Sequence, residues 1–372
     1  MIAMEEVVEL AKSLVGINSE NPPGNEKAIA FFIKDFLDDL GLETQLIEFG
    51  KNRYNLIASI GKKEGLMLNG HMDTVPIGNV ESWKFDPLGE IKSGKLYGRG
   101  AVDMKGGLAC VLAAAKNLVK EKVKFKKKLS LVFVGDEEVG LAGSKFIIEN
   151  YKDALKDIKY GIIAEPTNFL ITIAQKGLAE MEVKIKGKAA HGSSPELGDN
   201  AIYKACDVIQ ELRKLSENLK KKKDTLLGSG TINVGKISGG TKVNVVPDYC
   251  EIEIDRRIIP GETPELAKKQ VEKIVRKLKI KGEVKLLLSR LPMKLSENSL
   301  LVKTLREIAE TKLKGAAGYT EAELYYRGVG IECVVFGSGN PSLCHITNEY
   351  IKIDELKKGC AVFEKIIRKF CC

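Results

Sequence analysis

Apolar residues in the first half of the chain recur with two different periods, which predicts alternating helices and strands. Residues 25–41 place apolar side chains every three or four positions up to Gly41, as an amphipathic helix does. Residues 106–120 are rich in alanine and predict a second helix. Short apolar runs predict buried strands at 55–60, 66–68, 129–134, 161–164 and 331–336. This alternation predicts an α/β domain in which helices cover a parallel or mixed sheet.

The middle of the chain has a different order of elements. Its periodicity predicts a strand, a helix, two strands, a helix and a strand at 178–186, 200–219, 231–237, 249–257, 265–278 and 283–288. This βαββαβ order is that of the ferredoxin-like fold. The pattern then predicts helices at 296–313 and 354–370. We therefore expect one α/β domain, formed by residues 1–176 and 290–372, with a second domain, 177–289, inserted into it.

Acidic residues and histidines follow the predicted strands almost immediately. His71 follows the second strand, residues 136–138 follow the third, Glu165 follows the fourth, and His345 lies in the loop after the fifth. In open α/β sheets the ligand crevice lies at the carboxyl ends of the strands. We therefore expect these side chains to meet at one edge of the sheet.

The chain contains only three histidines, His71, His191 and His345, each among small, acidic or turn-forming residues. Imidazole is the commonest metal ligand of proteins and the usual proton shuttle near neutral pH. His71 and Asp73 are two residues apart, so an extended backbone places both on one face, where a carboxylate can orient an imidazole. The alternative is that His71 and His345 are ordinary histidines of surface loops.

The segment GRGAVDMKGG contains Asp103 among glycines at the start of a predicted helix. Its carboxylate has two oxygens and can bridge two cations, although a simple helix N-cap is an alternative role. The glycine spacing matches neither of the common phosphate-binding loops. A nucleotide site is therefore disfavoured.

Glu137 and Glu138 are adjacent, and neighbouring side chains diverge, so one can bind a metal while the other acts as a general base. An acidic turn is the alternative, and a solvated loop residue is the alternative for Glu165. Two histidines, two glutamates and a shared Asp103 would complete paired zinc-like sites about 3.5–4 Å apart. Cys344, next to His345, is an alternative ligand.

These segments together resemble the zinc aminoacylase family that includes acetylornithine deacetylase, succinyl-diaminopimelate desuccinylase and glutamate carboxypeptidase. The matching motifs run in order along nearly the whole chain and are HMDTVP, GRGAVDMKGG, DEE, AEPT, AAHGSSP and the HxxNE of 345–349. The resemblance implies a di-zinc exopeptidase-like α/β catalytic domain whose inserted domain serves as a lid and dimerisation domain. It implies two Zn²⁺ ions, or Co²⁺ or Mn²⁺ in their place.

The resemblance also implies a role for each matching residue. One ion would be held by His71 and Glu165, the other by Glu138 and His345, and both by Asp103. Asp73 would orient His71, and Glu137 would be the general base. A cis peptide bond between Asp103 and Met104 is implied as well.

In the inserted domain, the resemblance makes His191 an oxyanion donor that reaches the active site of the neighbouring subunit of a homodimer. A turn histidine before Pro195 is the alternative. Asn244 and Arg257 match the substrate-binding positions of the family, with Gly318 near the same pocket. Several residues depart from the usual pattern without removing a metal ligand: Glu321, Ser338, Ile346 and Thr347.

Charge and cysteine usage exclude several other functions. The formal net charge of +9 resides in lysine runs, such as 126–128 and 220–223, that lack interleaved aromatic residues for stacking bases. Eight scattered cysteines form no paired CxxC motif, and a terminal Cys371–Cys372 pair suits a reducing compartment. The first residues carry neither a signal sequence nor a membrane span. We expect a cytoplasmic protein that binds neither nucleic acid nor membrane.

The predicted function is hydrolysis of an N-acyl amino acid, of the acetylornithine deacetylase or succinyl-diaminopimelate desuccinylase type, by a metal-bound water that Glu137 activates. A carboxypeptidase or dipeptidase acting on short peptides is the first alternative. A catalytically silent binding relative is the second.

Overall fold

The computed structural model describes residues 2–372, which form two compact units. The first unit comprises residues 2–173, Leu295–Lys314 and Thr320–Cys372, and the second comprises Ala174–Lys294 and Gly315–Tyr319. The second unit is thus an insertion that interrupts the first.

The first unit begins with alternating helices and strands, as the periodicity predicts. In chain order these are α1 (Ile2–Val15), α2 (Lys27–Asp38), β1 (Glu43–Gly50), β2 (Arg53–Ile60), β3 (Gly65–His71), β4 (Glu90–Lys92), β5 (Lys95–Tyr97), α3 (Lys105–Lys120), β6 (Leu129–Val134), α4 (Ala142–Asn150), α5 (Lys152–Leu155), β7 (Ile158–Ile163) and β8 (Ile171–Gln175). Every residue of β3 and β6 is buried, which explains their continuous apolar sequences.

The second unit has the predicted βαββαβ order with a small hairpin added. Its elements are β9 (Gly177–Lys186), α6 (Ala201–Leu219), the hairpin strands β10 (Lys223–Asp224) and β11 (Gly228–Ser229), β12 (Thr231–Gly239), β13 (Tyr249–Ile258), α7 (Pro264–Lys277), β14 (Gly282–Arg290) and β15 (Met293–Lys294). The antiparallel sheet has the order β12-β13-β9-β14. Its core includes buried residues of α6, α7, β9, β13 and β14, with part-buried residues of β12 packed against them. This is the expected ferredoxin-like arrangement.

The chain then returns to the first unit, apart from Gly315–Tyr319. The remaining elements are α8 (Leu300–Ala309), β16 (Leu313–Ala316), α9 (Ala322–Val329), β17 (Glu332–Val335), β18 (Tyr350–Lys352) and α10 (Ile353–Cys371). The helix predicted at 296–313 is wrong at its end, because Glu310 adopts a left-handed conformation with a φ of 48° and β16 follows.

Parallel strands form the centre of the large sheet. Its order is β1-β2-β6-β3-β7-β17-β8, and β3 runs parallel to both β6 and β7, as does β17 to β7. The carboxyl ends of β6, β3 and β7 therefore lie side by side at one edge. The sheet confirms the predicted α/β fold class. Among the described residues, no helix has the length and apolar character needed to cross a membrane.

Candidate active site

The predicted metal-binding side chains meet at the carboxyl edge of the parallel strands. His71 is the last residue of β3, Glu138 lies in the turn after β6, and Glu165 lies two residues beyond β7. Asp103 lies two residues before α3, and His345 comes from the loop before β18. Neighbouring strands thus bring together residues that are far apart in the sequence.

Glycine allows the start of α3 to lie close to the end of β7. A Cβ atom on Gly107 would lie 2.2 Å from the backbone oxygen of Ala164, the residue before Glu165. Glycine at this position therefore lets the Asp103 segment approach the strand end. The predicted cis peptide bond between Asp103 and Met104 is confirmed.

The two oxygens of Asp103 face two different sets of donor atoms. His71 Nε2 lies 3.1 Å from Asp103 Oδ1 and 3.5 Å from Glu165 Oε1. His345 Nε2 lies 3.2 Å from both Asp103 Oδ2 and Glu138 Oε2. Each set thus contains one imidazole and one glutamate, and Asp103 belongs to both.

The chemistry and spacing of these donors fit two divalent ions. Donor atoms about 2.0–2.2 Å from one tetrahedral zinc lie about 3.3–3.6 Å apart. The separations within the two sets, 3.1–3.5 Å, are close to this range. Glu138 Oε1 is buried and has no hydrogen-bond partner among the described residues, as expected of a carboxylate placed for a metal. The residues present therefore fit a dinuclear centre.

Mutual attraction between imidazoles and carboxylates dominates the electrostatics of these residues. Hydrogen bonds to Asp103 and Glu138 raise the pKa of His345 to about 10. Burial alone would lower the pKa of His71, but neighbouring carboxylates, led by Glu165, raise it well above its usual range. Although burial opposes the effect, the two imidazoles hold the pKa of Asp103 below its usual range. The centre is built to hold positive charge.

Glu137 and Glu138 follow a sharp turn of the chain and belong to different clusters of metal-ligating side chains. Asp136 adopts a left-handed conformation, with a φ of 67°, and the two following N–H groups both donate to Asp73, at 3.2 Å to Oδ1 and 3.3 Å to Oδ2. Burial, reinforced by Glu321 and Glu138, raises the pKa of Glu137 well above its usual range. A raised pKa suits a residue that accepts and releases a proton.

Asp73 contacts His71 mainly through its backbone. His71 Nδ1 lies 2.9 Å from the carbonyl oxygen of Asp73 and 3.7 Å from its carboxylate Oδ1. The carbonyl contact fixes the ring, because a proton on Nδ1 leaves Nε2 free to face the donor set. The carboxylate of Asp73 instead holds the Glu137 and Glu138 turn.

A buried network that sequence reasoning missed supports Asp73. The side-chain amide of Asn21 donates to Asp73 Oδ2 at 2.9 Å and to Asp136 Oδ1 at 3.1 Å. Arg53 donates to Asp136 at 2.8 Å and makes two hydrogen bonds, of 2.7 and 2.8 Å, to Glu26. The segment SENPPGNE contains Asn21 and Glu26. Its paired prolines, which restrict the backbone, are the sequence feature that could have pointed to this network.

A second buried pair supports Asp103. Glu349 Oε1 accepts the backbone N–H groups of Val102 at 2.8 Å and Asp103 at 3.1 Å, while its Oε2 accepts from Arg99 at 2.7 Å. Arg99 also donates to the backbone oxygen of Ile346, beside His345, at 3.3 Å. Glu349 and Arg99 thereby link the loops that present the bridging aspartate and the second imidazole.

Cys344 belongs to neither of the two donor sets, each of which consists of imidazole and carboxylate atoms. Burial raises the pKa of its thiol, with Asp103 and Glu165 adding to the effect. The structure therefore gives no support to Cys344 as a ligand.

The remaining predicted residues lie in the second unit, where His191 and Asn244 are on adjoining segments. Gly192 donates its N–H to the Asn244 backbone oxygen at 2.8 Å, and a cavity of about 620 Å³ lies beside these segments. The Ser193 N–H donates to His191 Nδ1 at 3.2 Å, so a neutral His191 carries its proton on the exposed Nε2. This ring nitrogen is available as a donor.

The adjacent Arg256 and Arg257 of β13 differ in exposure. Arg256 is buried and donates to Glu262 at 2.7 Å, whereas Arg257 is part-exposed and makes hydrogen bonds of 2.9–3.2 Å with Asp255. Gly318 is exposed, and an added Cβ there would meet no atom within 4 Å. Arg257 remains the accessible candidate for a substrate carboxylate.

Comparisons with known proteins agree with this geometry. Residues 67–369 match the sequence profile of peptidase family M20/M25/M40. Acetylornithine deacetylase from Myxococcus xanthus is 32% identical, over 90% of this chain and 87% of that protein. A probable succinyl-diaminopimelate desuccinylase from Staphylococcus aureus strain N315 is 28% identical, over 97% of this chain and 96% of the relative.

The fold is also found in solved structures. Aminopeptidase PepT from Bacillus cereus has a TM-score of 0.81 at 24% sequence identity, with 98% of both chains covered. The family match and the dinuclear geometry together confirm the family that the sequence motifs resemble. The chain belongs to peptidase family M20/M25/M40 and is a metal-dependent hydrolase of amide bonds.

Proposed function

We propose that this protein removes the acyl group from N-acyl amino acids, in the manner of an acetylornithine deacetylase or a succinyl-diaminopimelate desuccinylase. The observation that carries the proposal is the pair of donor sets that share Asp103, with Glu137 beside them. The two curated relatives, which match nearly the whole chain, carry the names of such deacylases. The substrate would be a small N-acyl amino acid.

The proposed ligands are His71 and Glu165 for one ion, Glu138 and His345 for the other, and Asp103 for both. We propose Zn²⁺ at both positions, or Co²⁺ or Mn²⁺ in its place, because imidazole and carboxylate donors suit all three ions. When bound, such a pair polarises the scissile carbonyl and lowers the pKa of a bound water.

Glu137 would then perform the proton transfers. Its carboxylate takes the proton of the attacking water and delivers it to the nitrogen of the leaving amine. Asp73 holds the backbone N–H of Glu137, so the base keeps its direction through both transfers. Asn21 holds Asp73 in turn.

The second unit would bind the rest of the substrate as a lid and dimerisation domain. His191 Nε2 would donate to the developing oxyanion in the active site of the partner subunit of a homodimer, and such a donor is worth about 3 kcal/mol of transition-state stabilisation. Arg257 would receive the α-carboxylate through paired hydrogen bonds. Asn244 and Gly318 would complete the pocket.

We also propose that the protein works in the cytoplasm. All eight cysteines are free thiols, and five of them are buried. A reducing compartment preserves such thiols.

The test is a substrate panel on metal-reconstituted protein. The panel contains N-acetyl and N-succinyl amino acids together with dipeptides carrying the same C-terminal residues. We expect the acyl amino acids to be hydrolysed with the higher kcat/KM. Preferential hydrolysis of the dipeptides would replace the proposal with a carboxypeptidase or dipeptidase activity.

A further inference from the structure

Glu321 is a buried carboxylate with no hydrogen-bond partner. It immediately precedes α9, is fully buried, and neither Oε1 nor Oε2 accepts a hydrogen bond from any described residue. Burying an uncompensated carboxylate is costly, and buried charges are normally paired or bound to metals. Burial accordingly raises the pKa of Glu321 to about 7, so its carboxylate form would be stabilised by a bound cation.

The unpartnered carboxylate belongs to a third cluster, which shares Glu165 with the first donor set. One oxygen from each of Glu137, Glu165 and Glu321 lies within 4.8 Å of the others, and neither histidine nor Asp103 belongs to this group. A set of carboxylate oxygens alone suits hard divalent cations, such as Mn²⁺, better than it suits softer ions.

The basic side chains that pack around the centre are bound elsewhere. Lys105 donates to the backbone oxygen of Ile17 at 2.6 Å, and Arg99 is paired with Glu349. Neither Lys105 nor Arg99 is therefore paired with Glu321. The proposed pair of ions would bind Glu165 but would leave Glu321 without a bound cation.

We propose that Glu137, Glu165 and Glu321 form a third cation site, which binds one divalent ion and thereby inhibits the enzyme. A bare ion fits better than an alkylammonium group of a substrate, because Glu321 is fully buried. Glu137 is only part-buried, so one of the three carboxylates is accessible to an ion from solvent.

Inhibition follows from the position of Glu137 and rests on the proposed function. An ion bound to its carboxylate occupies the oxygens that would accept the proton of the attacking water. This site holds no imidazole, and its Glu165 is shared with the first donor set. It should therefore bind its ion only after the two ions of the main centre are bound. Activity should rise as the first two ions bind and fall as the third binds.

The test uses Mn²⁺, whose preference for oxygen ligands avoids the free thiols of the chain. Equilibrium dialysis against rising Mn²⁺ measures bound ions per chain, and parallel assays measure turnover. We expect three ions per wild-type chain, with the third binding over the same concentrations at which turnover falls. Glu321→Gln should bind two and require at least about tenfold more Mn²⁺ for half-inhibition. The exposed Glu43→Gln serves as the matched control and should behave as wild type.

Each result has a defined meaning. Two ions per wild-type chain with undiminished turnover in excess Mn²⁺ would overturn the third site, even if Glu321→Gln does not fold. Equal binding of a third ion by wild type and a folded Glu321→Gln would also overturn it. A third ion lost in Glu321→Gln, in protein that hydrolyses none of the acyl amino acids, would support the site while contradicting the proposed function.

Discussion

The side-chain amide of Asn21 donates a 2.9 Å hydrogen bond to the carboxylate of Asp73, although 52 residues separate them in the sequence. Asp73 in turn accepts the backbone N–H groups of Glu137 and Glu138. Asn21 thus acts on the proposed base and on a proposed metal ligand through one intermediate residue. It is a positioning residue rather than a group that touches the substrate.

Asn21→Ala should lower kcat more than it changes KM. Removing the amide leaves Asp73 and Asp136 each with one hydrogen-bond donor fewer. This loss costs about 1–3 kcal/mol of stability and loosens the turn that carries Glu137. We expect kcat to fall about 10–100-fold, as is typical when the support of a metal centre is removed. Steady-state kinetics and bound-metal analysis would measure both effects.

Asn25→Ala is the matched control for this variant. Asn25 lies in the same proline-containing segment but is exposed, so its removal should leave kcat, KM and thermal stability near wild type. Equal kinetics for the two variants would show that Asn21 does not position the base.

Glu349→Gln should weaken metal binding. The neutral side chain cannot pair with the buried guanidinium of Arg99 while accepting the N–H groups of Val102 and Asp103. Asp103 should lose its fixed direction, and we expect metal affinity to fall about 10–100-fold. Competition with a chelator would measure it. Glu297→Gln, at an exposed position, should keep wild-type affinity.

Glu137→Gln and Glu138→Gln should differ in metal content although the residues are adjacent. Loss of the proposed base should reduce kcat about 10²–10⁴-fold with both ions retained. Loss of the Glu138 carboxylate, which faces His345 Nε2 at 3.2 Å, should instead release metal. Turnover and metal content measured on both proteins check the assignment. Metal loss in Glu137→Gln with full retention in Glu138→Gln would reverse it.

The sequence predicts the part of the site that depends on where the strands end. Apolar runs locate β3, β6 and β7, and the rule that ligands gather at carboxyl ends then places His71, Glu138 and Glu165 together. The contact between His71 and the carbonyl oxygen of Asp73 could not be predicted in this way. Side-chain alternation does not show whether the carbonyl or the carboxylate oxygen approaches the ring.

Other features depend on contacts that no local pattern encodes. Asn21 and Arg99 bind partners 52 and 250 residues away, so neither one stands out by spacing. Glu321 was visible only as a departure from the family motif, since its burial depends on packing across the sheet edge. The end of α8 at a left-handed Glu310 also escaped prediction, because glutamate favours helix and disfavours that conformation.

Metal-free protein should lose stability as the pH rises from about 6.5 towards 10. The pKa of His345 is raised to about 10 in the folded state, mainly by its hydrogen bonds to Asp103 and Glu138, against about 6.5 when unfolded. A raised pKa contributes stability that is fully present below the unfolded value and is lost as the pH passes through the folded value.

Thermal unfolding of chelator-treated protein between pH 6.5 and 9 would therefore show a falling Tm. The reason is that the protonated imidazole, which the carboxylates stabilise in the folded state, gradually loses its proton as the pH rises. His345→Asn should flatten this dependence. Metal-loaded protein should not share it, because bound ions replace the protons on the ligands and bind more tightly as the pH rises. A Tm of the metal-free protein that stays constant or rises over this range would contradict the imidazole–carboxylate attraction at the centre.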